Sequence, residues 1–173
     1  MEKIFYTDKR KYVTSEQAVK EILAKFFGFQ NACISRTETG KPFLVGIPLF
    51  FSVSHTGNAL FIAVSDRNVG LDAELLNRQT DYEKILKKFP EEERAVIRSQ
   101  TDFLRFWTVK ESAVKWLGGS LAHDLRYLRY IGGELFYKEV PLPVHITFPH
   151  FDGFTLAVCG ERDFSSVTPV IIQ

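Results

Sequence analysis

The chain has 173 residues, enough for one domain, or for two small halves sharing one core, with a stable interior. Hydrophobic residues make up 45% and charged residues 25%, an ordinary globular composition that argues against disorder. The formal net charge of +1 lacks the basic excess expected of a protein that binds nucleic acid or a membrane surface, and no apolar run reaches the ~18 residues of a membrane span.

Two cysteines, Cys33 and Cys159, form no CxxC spacing, and Cys159 sits in the apolar run Leu156-Ala157-Val158-Cys159 as a small buried hydrophobe. The first residues show no apolar signal region, so a soluble cytoplasmic protein is expected. In chain order, Ser15 to Phe27 has helical spacing of Ala18, Ile22, Leu23, Phe26 and Phe27, with Thr14 or Ser15 to cap it and Gly28 to stop it. Ala32 to Arg36 reads as a short strand, and Gly40-Lys41-Pro42 as a turn. Three strand candidates follow, Phe50 to Ser54, Ala59 to Ser65 and Val69 to Ala73, and the short polar turns between them predict a meander of hairpins.

Glu83 to Phe89 and Pro90 to Arg98 read as two helices, with Pro90 as the first residue of the second. Phe103 to Leu117 is a helix with an apolar stripe of Phe106, Trp107, Val109, Ala113, Val114 and Leu117, ended by Gly118-Gly119. Arg126 to Ile131 and Glu134 to Glu139 flank Gly132-Gly133 as a hairpin, and His145 to Phe148 and Phe154 to Val158 are two further strands. Helix, strands, helices, strands predicts an α+β fold. The halves, about 1–76 and 77–173, look loosely alike, each a helix followed by hairpin-connected strands.

Three segments carry chemistry. In Gly70-Leu71-Asp72-Ala73-Glu74 the strand period places Asp72 and Glu74 side by side on one face. Two carboxylates that close repel unless a cation or proton intervenes, and magnesium suits one or two carboxylates plus phosphate oxygens. A solvated edge strand with two unrelated acids is the alternative. In Trp107-Thr108-Val109-Lys110-Glu111-Ser112-Ala113-Val114-Lys115, Glu111 and Lys115 share a helix face. They form either an exposed salt bridge or, because the helix is otherwise rich in large apolar residues, a polar stripe facing a cleft. In Phe51-Ser52-Val53-Ser54-His55-Thr56-Gly57, His55 ends an apolar strand. It is a surface histidine or, with Ser54 and Lys41, part of an anion site. No Walker loop, GxGxxG or GxSxG is present.

Together with Gly40-Lys41-Pro42 and the ending Gly153-Phe154-Thr155-Leu156-Ala157-Val158-Cys159, these segments resemble the 4′-phosphopantetheinyl transferase family, in particular its single-chain class of surfactin-synthetase type, from about Glu16 to Val170. The resemblance implies a fold of two similar α/β halves related by a pseudo-twofold, acting as a monomer. It implies transfer of the phosphopantetheine arm of coenzyme A to a serine of an acyl or peptidyl carrier protein, with release of 3′,5′-ADP. It also implies that Asp72, Glu74 and Glu111 hold magnesium, that His55 and Lys115 contact phosphates, and that Lys41 and Ser54 help hold the nucleotide. Glu111 is further implied as the base for the serine proton. Lys9, Arg10 and Lys11 are the available substitutes for the family's basic residues at the adenosine 3′-phosphate, and Gly118-Gly119-Ser120-Leu121 lacks a lysine that many members carry there. The competing readings are a non-catalytic coenzyme A or nucleotide-binding module and a magnesium-dependent phosphohydrolase.

Overall fold

Caps set the two long helices where the sequence places them. The computed structural model describes residues 1–172. In chain order the elements are β1 (Glu2–Asp8), α1 (Ser15–Phe27), β2 (Ile34–Arg36), β3 (Pro42–Leu44), β4 (Phe50–Thr56), β5 (Ala59–Ser65), β6 (Val69–Leu75), α2 (Tyr82–Leu86), α3 (Glu91–Val96), α4 (Gln100–Leu117), α5 (Leu121–Asp124), β7 (Leu128–Ile131), β8 (Glu134–Tyr137), β9 (Val140–Pro141), β10 (His145–Thr147), β11 (Phe154–Gly160) and β12 (Val170–Ile171). The Thr14 hydroxyl accepts the Gln17 N–H, and Gly28 closes α1 at φ 80°. Ser99 and Asp102 bond reciprocally at the start of α4, which therefore begins three residues before the expected start at Phe103. Pro90 sits before α3 in extended conformation and is its N-cap, not its first helical residue.

The class is α+β, as expected. A four-stranded sheet runs β12-β1-β5-β4, and a three-stranded sheet runs β10-β11-β6. α1 covers the outer face of the first sheet through Val19, Ile22 and Leu23 against Phe5, Leu60 and Ile62. The facing sides of the two sheets meet through Ile4, Phe61, Leu71 and Val158. α4 covers the outer face of the second sheet through Val109, Ala113 and Val114 against Ala157 and Cys159. Among the described residues, no helix is long and apolar enough to cross a membrane.

Two of the departures from expectation bear on the site. β5 pairs with β4 and β1, and β6 leaves the expected meander to pair antiparallel with β11. The turn at Asp66-Arg67-Asn68 thus joins two sheets instead of closing a hairpin. β1, which the sequence reading passed over, lies inside the first sheet, between β5 and β12. The Gly132-Gly133 hairpin forms as expected, with both glycines at positive φ and Ile131 opposite Glu134.

Candidate active site

The site begins with a missing side chain. Gly70, Asp72 and Glu74 alternate along β6 onto the face that α4 covers. A Cβ on Gly70 would stand 2.0 Å from the Ser112 carbonyl oxygen and 2.6 Å from the Trp116 nitrogen. Glycine therefore lets the backbone of α4 lie directly on β6, and that contact brings Lys115 to Asp72. Lys115 Nζ donates to Asp72 Oδ1 at 2.8 Å and to the Leu71 carbonyl at 3.0 Å.

On the other side, β6 faces β4 without a backbone ladder. Hydroxyls replace it. The Leu71 N–H donates to Ser52 Oγ at 2.9 Å, and the Ala73 N–H to Ser54 Oγ at 3.1 Å. Ser54 Oγ donates onward to Asp72 Oδ1 at 2.8 Å, and Thr56 Oγ1 donates to Glu74 Oε2 at 3.0 Å. Glu74 Oε1 pairs with the Arg78 guanidinium. Three hydroxyl residues at alternate positions of β4 thus satisfy the outer edge of β6 and orient both its acids.

Negative charge remains in excess. Asp72 Oδ2 is buried and has no hydrogen-bond partner. Burial raises the Asp72 pKa, and the Lys115 ammonium opposes the rise without cancelling it. Glu111 has no hydrogen-bond or ion-pair partner among the described residues. Burial first, and then the charge of Asp72, push its pKa up to about 7, with Glu74 adding to the rise. Among the described residues, no three His, Cys, Asp or Glu side chains are gathered as a metal-ligand cluster. Asp72 and Glu74 are instead turned onto Lys115, Ser54, Thr56 and Arg78. The donor chemistry nevertheless fits a hard divalent cation: an orphaned carboxylate oxygen, and a third carboxylate whose pKa burial and the charge of Asp72 push up to about 7.

The other residues picked from sequence divide. Ser54 lies in the site, where its hydroxyl is committed to Asp72 and Ala73. Lys41 lines a cavity of about 250 Å³ together with Lys115, Ser52, Gly118 and Gly119. Its ammonium is tied, however, donating to Asn68 Oδ1 at 2.6 Å and to the Trp116 carbonyl at 2.9 Å near the end of α4. Desolvation lowers its pKa to about 8. His55 is exposed and opens elsewhere, into a groove of about 340 Å³ lined by Lys9, Arg10, Thr14 and Ser15.

Sequence reasoning missed Thr56, Arg78 and the pair Glu93–Lys110. The β4 alternation Ser52, Ser54, Thr56 was a readable signal for the first. For Lys110 the signal was its helical position among apolar residues, one turn from Phe106 and Trp107 and one turn from Ala113 and Val114. Nothing in the sequence pairs Glu93 with it.

The family model for the 4′-phosphopantetheinyl transferase superfamily matches residues 68–159, more than half of the chain. The matched segment contains Asp72, Glu74, Glu111 and Lys115, and leaves out Lys41, Ser54 and His55. A 4′-phosphopantetheinyl transferase of Bacillus subtilis is 28% identical over 133 residues, covering 68% of this chain and 56% of the relative. The 4′-phosphopantetheinyl transferase gsp of Aneurinibacillus migulanus is 29% identical over 154 residues, covering 83% and 63%. The 4′-phosphopantetheinyl transferase AcpT of Salmonella typhi is 29% identical over 144 residues, covering 78% and 70%. The chain therefore spans less than two thirds of the length of the first two.

Proposed function

The chain belongs to the 4′-phosphopantetheinyl transferase superfamily, and on that premise we propose that it moves the phosphopantetheine arm of coenzyme A onto a serine of an acyl or peptidyl carrier protein. The observation that carries the reading is the acid cluster where α4 packs on β6, with Asp72 Oδ2 unpartnered and the Glu111 pKa pushed up to about 7 by burial and by Asp72. Asp72, Glu74 and Glu111 are the residues that would hold magnesium, which when bound supplies positive charge for the pyrophosphate of coenzyme A.

The chain's own groups account for the rest. The carrier serine oxygen attacks the β-phosphorus, the bond from that phosphorus to the bridging oxygen breaks, and 3′,5′-ADP leaves. Glu111 takes the serine proton, a role that a carboxylate with a pKa near 7 can fill. Lys115, fixed to Asp72 and the Leu71 carbonyl and lining the cavity beside Ser52 and Gly118, sets an ammonium for a phosphate there. His55 and Lys9 line a second groove that offers donors for the remaining phosphate of the nucleotide, beside an Arg10 that is paired to Asp8. Lys41 and Ser54 act on the walls: Lys41 fastens the Gly40-Pro42 turn to α4, and Ser54 aims Asp72. In this reading the enzyme works as a cytoplasmic monomer.

The test is direct. Purified protein with magnesium and coenzyme A should add one phosphopantetheine arm to an apo carrier protein and release 3′,5′-ADP, read by intact-protein mass. Glu111→Gln should lower turnover by about 10²–10⁴ fold with the fold intact. Folded protein that modifies none of several carriers ends the proposal. Cleavage of coenzyme A without a carrier would make it a hydrolase, and binding without turnover a binding module.

A further inference from the structure

Arg78 stands apart from the other basic group beside the acids, Lys115. It lies just beyond β6, and its N–H donates to the Leu75 carbonyl at 3.1 Å. Its own carbonyl accepts from the side-chain amide of Gln100, the first residue of α4. The backbone of this one residue is therefore fastened to both elements that carry the acids. Its side chain is not. The guanidinium is half exposed, and Glu74 is its only hydrogen-bond or ion-pair partner among the described residues. Lys115, by contrast, is held by two acceptors, one of them a backbone carbonyl.

An ion pair at i and i+4 with one partner half in water is a weak tether. A divalent cation that engages Glu74 meets the guanidinium as a like charge and competes with it for the same carboxylate. Once released, a guanidinium anchored at the rim by its backbone lies beside the phosphates that such a cation attracts. Its planar fork matches phosphate oxygens in a way an ammonium does not. Thr56 keeps Glu74 in place throughout, because it holds the other carboxylate oxygen.

We propose that Arg78 is a displaceable internal counter-ion, which neutralises Glu74 until a divalent cation takes that carboxylate and then pairs with the phosphate oxygens of the pyrophosphate-bearing co-substrate. The inference rests on the reading of the acids given under Proposed function. It assigns Arg78 two opposite effects: it weakens binding of the bare cation and strengthens binding of the co-substrate.

Two binding measurements separate these effects without any turnover. Manganese(II) is titrated alone into wild type, Arg78→Gln and Arg78→Lys, and coenzyme A is then titrated in saturating manganese, both by calorimetry. Arg78→Gln should bind manganese about three- to tenfold more tightly than wild type, because a nearby positive charge is gone. It should bind coenzyme A about tenfold more weakly, because a charge-assisted contact is lost. Arg78→Lys should keep wild-type manganese affinity and lose less coenzyme A affinity. If Arg78→Gln binds manganese no more tightly than wild type, or binds coenzyme A equally well, the counter-ion idea fails while a wild type that binds both ligands leaves the functional reading standing. If wild type binds neither ligand, the functional reading fails and this inference falls with it.

Discussion

Lys110 and Glu111 are chain neighbours on one helix, and they meet opposite fates. Lys110 has no exposed side-chain surface, but its charge is paired and hydrogen-bonded, although burial still lowers its pKa and raises that of Glu93, whose Oε2 has no hydrogen-bond partner. Its ammonium donates to Glu93 Oε1 at 2.9 Å and to the Leu128 carbonyl at 2.6 Å, and lies 4.7 Å from the centroid of the Phe89 ring. Glu93 also accepts the Tyr130 N–H at 2.6 Å. This pair binds α3, α4 and β7 together. Glu111, about 100° around the helix, is half-buried among other acids with no partner. A buried charge held by a counter-charge and a backbone carbonyl is scaffold. A partly buried charge left unsatisfied destabilises the empty protein, and a site that tolerates it is set up for a ligand that supplies the missing charge.

The comparison breaks first at the pair. Glu93→Ala strands the Lys110 ammonium in the interior and should cost about 3–5 kcal/mol in urea unfolding. Replacing both partners, as Glu93→Leu with Lys110→Met, should recover most of that loss. A single replacement that costs less than about 1 kcal/mol would show that the pair is not the scaffold. Next is the contact that places Glu111. Gly70→Ala puts a carbon against the α4 backbone, which cannot rotate away, so overpacking should cost about 1–3 kcal/mol. Shifting α4 should also pull Lys115 from Asp72, so manganese affinity should change along with the melting temperature. A variant that melts lower with unchanged manganese affinity would separate packing at Gly70 from the acid site.

Features governed by neighbours along the chain were legible. The ends of α1, the αL glycine after α4 and the Gly132-Gly133 hairpin follow from side-chain chemistry within a few residues. The shared face of Asp72 and Glu74 follows from the strand period, and that of Glu111 and Lys115 from the helix period. What was not legible depends on distant pairing. Nothing near Asp66-Arg67-Asn68 says that β6 passes over its hairpin neighbour to join β11. Lys41 was read as part of an anion site with Ser54 and His55, and the carbonyl at the end of α4 that its ammonium also bonds comes from a distant part of the chain. The polar face shared by Glu111 and Lys115 was readable, while the role of Lys110 beside Glu111 needed Glu93, which belongs to a separate helix.

The subtlest effect falls on Glu111 itself. Its folded pKa of about 7 lies above the ordinary value of 4.5. Between those values the folded protein holds a proton that the unfolded chain has released, so stability falls as pH rises from about 4.5 to about 7. Above that window the carboxylate is charged in both states, and the full penalty is present. Below it, both states are protonated and the penalty is gone. Glu111→Gln removes the titration, so it should be more stable than wild type at pH 8, on the order of 1–2 kcal/mol after allowance for partial solvent exposure. The gap should close by pH 4.5, as thermal melts across the range would read. Magnesium should close it from the other side, by stabilising wild type at pH 8 and leaving Glu111→Gln nearly unmoved. A gap independent of both pH and magnesium would mean that Glu111 is as well compensated as Lys110, and the contrast between the two neighbours would be lost.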